Sequence, residues 1–207
     1  MVSRAKFISV FKNAANAIII SKDELTAIDA KFGDADHGIT MEKIAKAVRD
    51  AMDSDGNIKD LLVNSASAIM KISGGSAVPL WNTFFEGLAN GLDEQCGDEI
   101  SESSFKQMFA SGLDEMKSVT QAKVGDKTMM DALIPAVQAI ISCPDENIEE
   151  ILKAGADAAQ KGAAATSNFV SKFGRAKSYK EATIGFMDAG AMSMMYFFAG
   201  LGGNAEK

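Results

Sequence analysis

Asp29-Ala30-Lys31-Phe32-Gly33-Asp34-Ala35-Asp36-His37-Gly38 packs three carboxylates and the only histidine of the chain into one short run. Like charges this close repel one another, and protonation or a cation relieves the repulsion. Aspartate forms helix poorly and glycine worse, so the segment from Lys31 to Gly38 reads as a loop. Helices read on both sides of it. Upstream, Ser21-Lys22-Asp23-Glu24 has the form of a capping box that starts a helix at Lys22, with Leu25, Ile28 and Asp29 on one face. Downstream, residues 39–52 read helical with Met41, Ile44, Ala45 and Val48 inward. Asp29 thus falls on an inward face at a helix C-terminal end. The helix dipole disfavours an anion there, so a cation is expected beside it. A loop of aspartates running into a helix start suits a hard divalent cation and a phosphate ester together.

The same reading extends outward. Phe7, Val10, Phe11, Ala14 and Ile18 recur at helical spacing, which predicts a helix over 4–20. Further helices are expected over 58–71, then with Pro79 in the first turn to about 92, and over 101–119. Three more follow: one starting at Gly125-Asp126-Lys127-Thr128 and ending at 142, one over 145–171 rich in alanine, and one over 184–201. Residues 173–183 read as a polar loop. No stretch alternates with period two. The expected fold is all-α, about eight antiparallel helices in a bundle or closed ring, forming one domain over 1–207.

Hydrophobic residues make up 47% of the 207, enough for a substantial core. The net charge of −7 excludes the basic face of a nucleic-acid binder. An anion site on this surface must supply its own positive field. Cys96 and Cys143 form no disulfide framework and no metal spacing. The apolar start is interrupted by Lys12 and Asn13, so it is no signal peptide, and the apolar run 189–201 is too short for a membrane span. A cytoplasmic protein without membrane attachment is expected.

Four loops rich in glycine and small polar residues lie at helix ends: 29–38, 72–77, 125–128 and 174–190. In an up-and-down bundle alternate loops share one end. The Asp loop offers oxygen ligands suited to Mg²⁺, although Asp-x-Asp is also the form of a solvated acidic turn. His37 could donate to a phosphate, or simply cap its helix. Gly74-Gly75-Ser76 lets backbone approach a ligand closely, or merely punctuates. Asp126 has the position of a helix cap. Arg175 could stabilise charge on a transferring phosphoryl group, or be a solvated loop arginine. The common nucleotide motifs, Gly-x-x-x-x-Gly-Lys-Ser/Thr and Gly-x-Gly-x-x-Gly, are absent, so nucleotide chemistry here would use an uncommon helical scaffold.

In order and spacing these pieces resemble one family, the nucleotide-binding DhaL-type subunit or domain of dihydroxyacetone kinases. The matching residues are Asp29 with Gly33-Asp34-Ala35-Asp36-His37-Gly38, Gly74-Gly75 with Pro79-Leu80 and Thr83-Phe84-Phe85, Gly125-Asp126-Lys127-Thr128-Met129 with Asp131, and Gly174-Arg175-Ala176 with Ile184-Gly185 and Asp188, Gly190 and Ala191. The resemblance implies an eight-helix antiparallel barrel with nucleotide at one end. It implies two Mg²⁺ ions on Asp29, Asp34 and Asp36, and a nucleotide surrounded by His37, Gly38, Ile39, Thr40, Ser76, Ala77, Thr128, Met129, Arg175, Asp188, Ala189 and Gly190. Arg175 and His37 are the implied catalytic pair.

The family uses either ATP, in chains fused to the sugar-binding domain, or resident ADP rephosphorylated by a phosphotransferase-system protein. In the second branch a separate dihydroxyacetone-binding subunit holds the triose. The chain stops at Lys207 with no second domain, so the ADP branch is expected, with a homodimer left open. The family commonly has Asn at Thr40, Ser-Gly at Ala77-Val78, His at Phe186 and Pro at Ala189, and Lys177 looks inserted. These departures keep two alternatives in view: an ATP-dependent kinase subunit for a related keto sugar, and a non-catalytic nucleotide-binding coactivator.

Overall fold

The computed structural model describes residues 1–144 and 146–203. Nine α-helices are present among them: α1 (Arg4–Ile20), α2 (Lys22–Asp29), α3 (His37–Ala51), α4 (Ile58–Ile69), α5 (Ala77–Asn90), α6 (Glu102–Val119), α7 (Met130–Ser142), α8 (Ile148–Ala165) and α9 (Ala189–Leu201). Two-residue strands β1 (Val2–Ser3) and β2 (Glu99–Ile100) pair antiparallel, too short to leave a periodic signal in the sequence.

Each long helix packs on its neighbour in the order α1, α3, α4, α5, α6, α7, α8, α9, and α9 returns to α1. Eight helices therefore close a ring, and the eight-residue α2 lies at its rim against α3 and α9. The ring is stitched by aromatic packing. Phe197 of α9 meets Phe11, Trp81, Phe84, Phe85 and Phe198 with centroids 5.4–6.0 Å apart. Most of these pairs are edge-to-face, the arrangement ring quadrupoles favour. Buried Ala156, Ala159 and Ala163 bring α8 close to α7 and α9. Among the described residues no helix is long and apolar enough to cross a membrane.

Several boundaries differ from the sequence reading, each for a local reason. Ser21 precedes α2 but its side chain makes no cap bond. Ser21 and Glu24 instead meet the hydroxyl of Tyr196 on α9, so the expected capping box is spent on a tertiary contact. The helix expected from 125 begins at Met130, because Lys127 takes a left-handed φ of 60°. Asp131 holds that loop by accepting from Gly125 N at 2.6 Å and Thr128 N at 2.7 Å. Asp126 does not cap a helix; it is buried and pairs with Lys172 at 2.6 Å.

The alanine-rich helix ends at Ala165, where Thr166 and Ser167 return their hydroxyls to the carbonyls of Ala163 and Ala164. Its expected start at Asp145 lies outside the described residues. Asn147 caps it by accepting from Glu149 N. Residues Arg175–Thr183 form 3-10 turns broken at Lys180, not a plain loop. The last helix starts at Ala189 because Gly185 is left-handed and Asp188 caps by accepting from Ala191 N at 2.8 Å.

Candidate functional site

The N-termini of α3, α5, α7 and α9 and the C-termini of α2, α4, α6 and α8 meet at one end of the ring. They enclose an open cavity of about 450 Å³, within the size range of small-molecule and cofactor sites. All four loops singled out in the sequence contribute to its wall.

The Asp loop reaches this mouth in a constrained form. Ala35 has a left-handed φ of 59°, an uncommon conformation for a residue with a Cβ. It stands between Asp34 and Asp36, and one carboxylate oxygen from each of Asp29, Asp34 and Asp36 lies within 4.8 Å of the others. Gly33 makes the close approach possible: a Cβ there would fall 2.1 Å from Asp29 Oδ1. Gly38 does the same for α3, whose start sits against α2 so closely that a Cβ would fall 2.1 Å from Lys22 O. Burial and the neighbouring Asp34 and Asp29 hold the Asp36 carboxyl above its ordinary value, and Arg175 opposes them. Three hard oxygen donors in mutual repulsion are the donor set a divalent cation relieves.

Arg175 crosses the mouth and pairs with Asp34 at 2.5 Å. Aromatic contacts join the same two segments: Phe32 of the Asp loop lies 5.1 Å from Tyr179 and 5.3 Å from Phe186. His37 Nε2 is 3.2 Å from Ser193 Oγ, and that hydroxyl donates to Gly190 O at 2.9 Å. Burial holds the imidazole below its usual pKa, and the ring also bonds the backbone of Ala189. The imidazole is thus engaged inside the protein, with α9. Burial pushes Asp188 up to about 7, against the lowering effect of the Ala191 N–H and of Lys127.

Of the residues expected at the site, Asp29, Asp34, Asp36, His37, Thr40, Ser76, Ala77, Thr128, Met129, Arg175, Asp188, Ala189 and Gly190 all line the cavity. Gly38 and Ile39 do not. Gly38 is buried against α2, and Ile39 is exposed on the outer face of α3. The sequence reading gave no role to Phe32, Trp81, Lys127 or Met187, which also line it. It missed Ser193 as well, although a serine on the inner face of an otherwise apolar helix was a readable signal.

What fold and rim define together is an all-helical ring with one open, carboxylate-bearing mouth spanned by an arginine. Residues 31–203 match the DAK2 domain family. The chain belongs to that family. It is 29% identical over 199 residues to the ADP-binding subunit DhaL of the PEP-dependent dihydroxyacetone kinase of Escherichia coli K12, covering 94% of each chain. It is 30% identical to the ADP-binding subunit DhaL of PEP-dependent dihydroxyacetone kinase 2 of Listeria innocua, covering 93% of this chain and 91% of that one. The crystal structure of the C. freundii dihydroxyacetone kinase in complex with AMP-PNP and Mg²⁺ superposes with a TM-score of 0.74 at 26% identity. That match covers 96% of this chain and 34% of the kinase.

Proposed function

We propose that this chain is the ADP- and Mg²⁺-binding subunit of a dihydroxyacetone kinase. In this reading a phosphotransferase-system protein phosphorylates the resident ADP, and the phosphoryl group passes to dihydroxyacetone held on a separate subunit. The observation that carries the proposal is the Asp29–Asp34–Asp36 cluster, within 4.8 Å and paired to Arg175, on a chain that matches DhaL subunits nearly end to end.

Asp29, Asp34 and Asp36 would hold the metal, two ions in the full reading. Mg²⁺ held by these carboxylates would supply charge neutralisation for the nucleotide phosphates. The chain's own residues supply the rest. Arg175 places a planar cation where charge spreads over the transferring group. The start of α3 lies at the mouth, where His37 N donates to Asp29 Oδ2 at 3.4 Å and so ties the helix to the Asp cluster. Ser76-Ala77, Thr128-Met129 and Asp188 through Gly190 form the walls that position the nucleotide, and Phe32 ties the Asp loop to Tyr179 and Phe186 beside the mouth. His37, held to α9 by Ser193, positions the start of α3. The proposed setting is cytoplasmic, without membrane or nucleic acid.

A second reading, direct use of ATP, is favoured by the likeness to the kinase in complex with AMP-PNP and Mg²⁺. One reconstitution separates the two. The chain is mixed with a dihydroxyacetone-binding subunit and either a PEP-charged phosphotransferase protein or ATP, and triose phosphate is followed. Formation from the phosphotransferase donor, falling about 10²- to 10³-fold in Arg175→Ala, is expected. Formation from ATP alone selects the second reading, and no product from either donor overturns both.

A further inference from the structure

Lys127 is 3% exposed, and among the described residues it is the only buried lysine or arginine. Its backbone is left-handed, with φ at 60°. That conformation is costly for a side-chain-bearing residue and persists only where the surroundings impose it. The ammonium donates to three carbonyls: Thr166 at 2.7 Å, Thr183 at 2.8 Å and Phe186. An ammonium has three protons, and each one is used. A neutral amine would leave one carbonyl without its donor.

The three acceptors are far apart in sequence and adjacent in space. Thr166 stands where the chain leaves α8. Thr183 and Phe186 stand where it comes back toward α9. Gly185 N also donates to Ser167 O at 2.7 Å, and Asp188 N to Thr166 Oγ1 at 3.0 Å. The ammonium therefore ties the neck of a loop whose far end carries Arg175. Asp126, the neighbour of Lys127, moors the outer side of the same loop through Lys172. The Gly125–Thr128 motif thus reaches the Asp cluster at second hand, through the arginine it holds in place.

We propose that Lys127 is a positioning residue, whose ammonium gathers both ends of the 166–186 segment and so fixes the reach of Arg175 over the Asp29–Asp36 mouth. The inference rests on the kinase-subunit reading for its effect on transfer, but the anchoring can be read without it.

The test compares wild type, Lys127→Met, Arg175→Ala and the double variant. Peptide-resolved hydrogen–deuterium exchange is measured on the chain, and triose phosphate formation in the reconstituted system. Lys127→Met is expected to speed exchange across 169–186 by about tenfold or more while α1 and α5 keep their protection. Transfer should fall by roughly 100-fold, the usual cost of a misplaced catalytic group. Adding Lys127→Met to Arg175→Ala should then cost less than about threefold, because the two act in series. Unchanged exchange in 169–186, or multiplicative effects in the double variant, overturns the inference. If Lys127→Met does not fold, Lys127→Gln, which keeps two of the three donors, must show the same pattern at smaller amplitude. If wild type transfers nothing, the kinase reading fails separately, and exchange in 169–186 still decides whether Lys127 anchors the loop.

Discussion

Neutralising Asp36 should stabilise the metal-free protein and at the same time remove its response to Mg²⁺. Asp36 is the cleanest of the three positions. Asp34 is already paired with Arg175, and Asp29 Oδ2 accepts from His37 N at 3.4 Å, so changing either leaves a partner behind. Asp36 is more than a third exposed; beside the partial burial of its carboxyl it meets Asp34 and Asp29 as like charges. Two unit charges 4–5 Å apart interact by about 1 kcal/mol in water. Arg175 offsets part of the two repulsions, so the net relief in Asp36→Asn is about 1 kcal/mol. In a chain of this size that raises Tm by about 2–4 °C.

With metal and nucleotide the sign reverses. A ligand at 100 times its Kd adds about 2.7 kcal/mol to the wild type, or about 5–10 °C, and the variant should lose most of that gain. The assay is thermal unfolding followed by circular dichroism, in EDTA and in Mg²⁺ with ADP. A variant that melts lower than wild type in EDTA, or keeps the full increment with Mg²⁺ and ADP, refutes the reasoning.

Phe197→Ala removes the ring that five other rings pack on; a loss of about 3–5 kcal/mol is expected in urea unfolding, with the Asp cluster untouched. Gly33→Ala puts a Cβ where Asp29 Oδ1 now lies. Calorimetry should show Mg²⁺ affinity falling by about tenfold or more. Asp188→Asn tests the raised carboxyl. Folding raises the pKa of Asp188 from 3.8 to about 7, so its contribution to stability worsens as pH rises between those values. Asparagine keeps the cap and lacks the charge. The difference in Tm, variant minus wild type, should therefore grow more positive from pH 5 to pH 8, and a flat difference would show that Asp188 ionises normally.

The helical character and the placement of the Asp loop were legible because both are local. Apolar spacing in Phe7, Val10, Phe11, Ala14 and Ile18 needs only the helix repeat. Alternation of antiparallel helices allowed loops to gather at one rim, but only the packed ring shows that all four line it. What stayed hidden depends on partners distant in sequence. Ser21 and Glu24 look like a cap until Tyr196 arrives from α9. The start of α7 is delayed by Asp131 bonding back to Gly125 and Thr128, a competition that helix propensity does not record. Lys127 reads as an ordinary charged residue until the three carbonyls from 166–186 are placed around it. The lowered pKa of His37 likewise follows from burial beneath α9, which its own neighbours do not announce.

The central claim is that the three aspartates hold a metal through which this chain binds ADP. Isothermal titration of the metal-stripped protein with ADP, in EDTA and then in Mg²⁺, tests it most directly. Saturable binding in Mg²⁺ is expected, disappearing in EDTA and in Asp34→Asn. Binding of equal strength with and without Mg²⁺, or none in either, would contradict it.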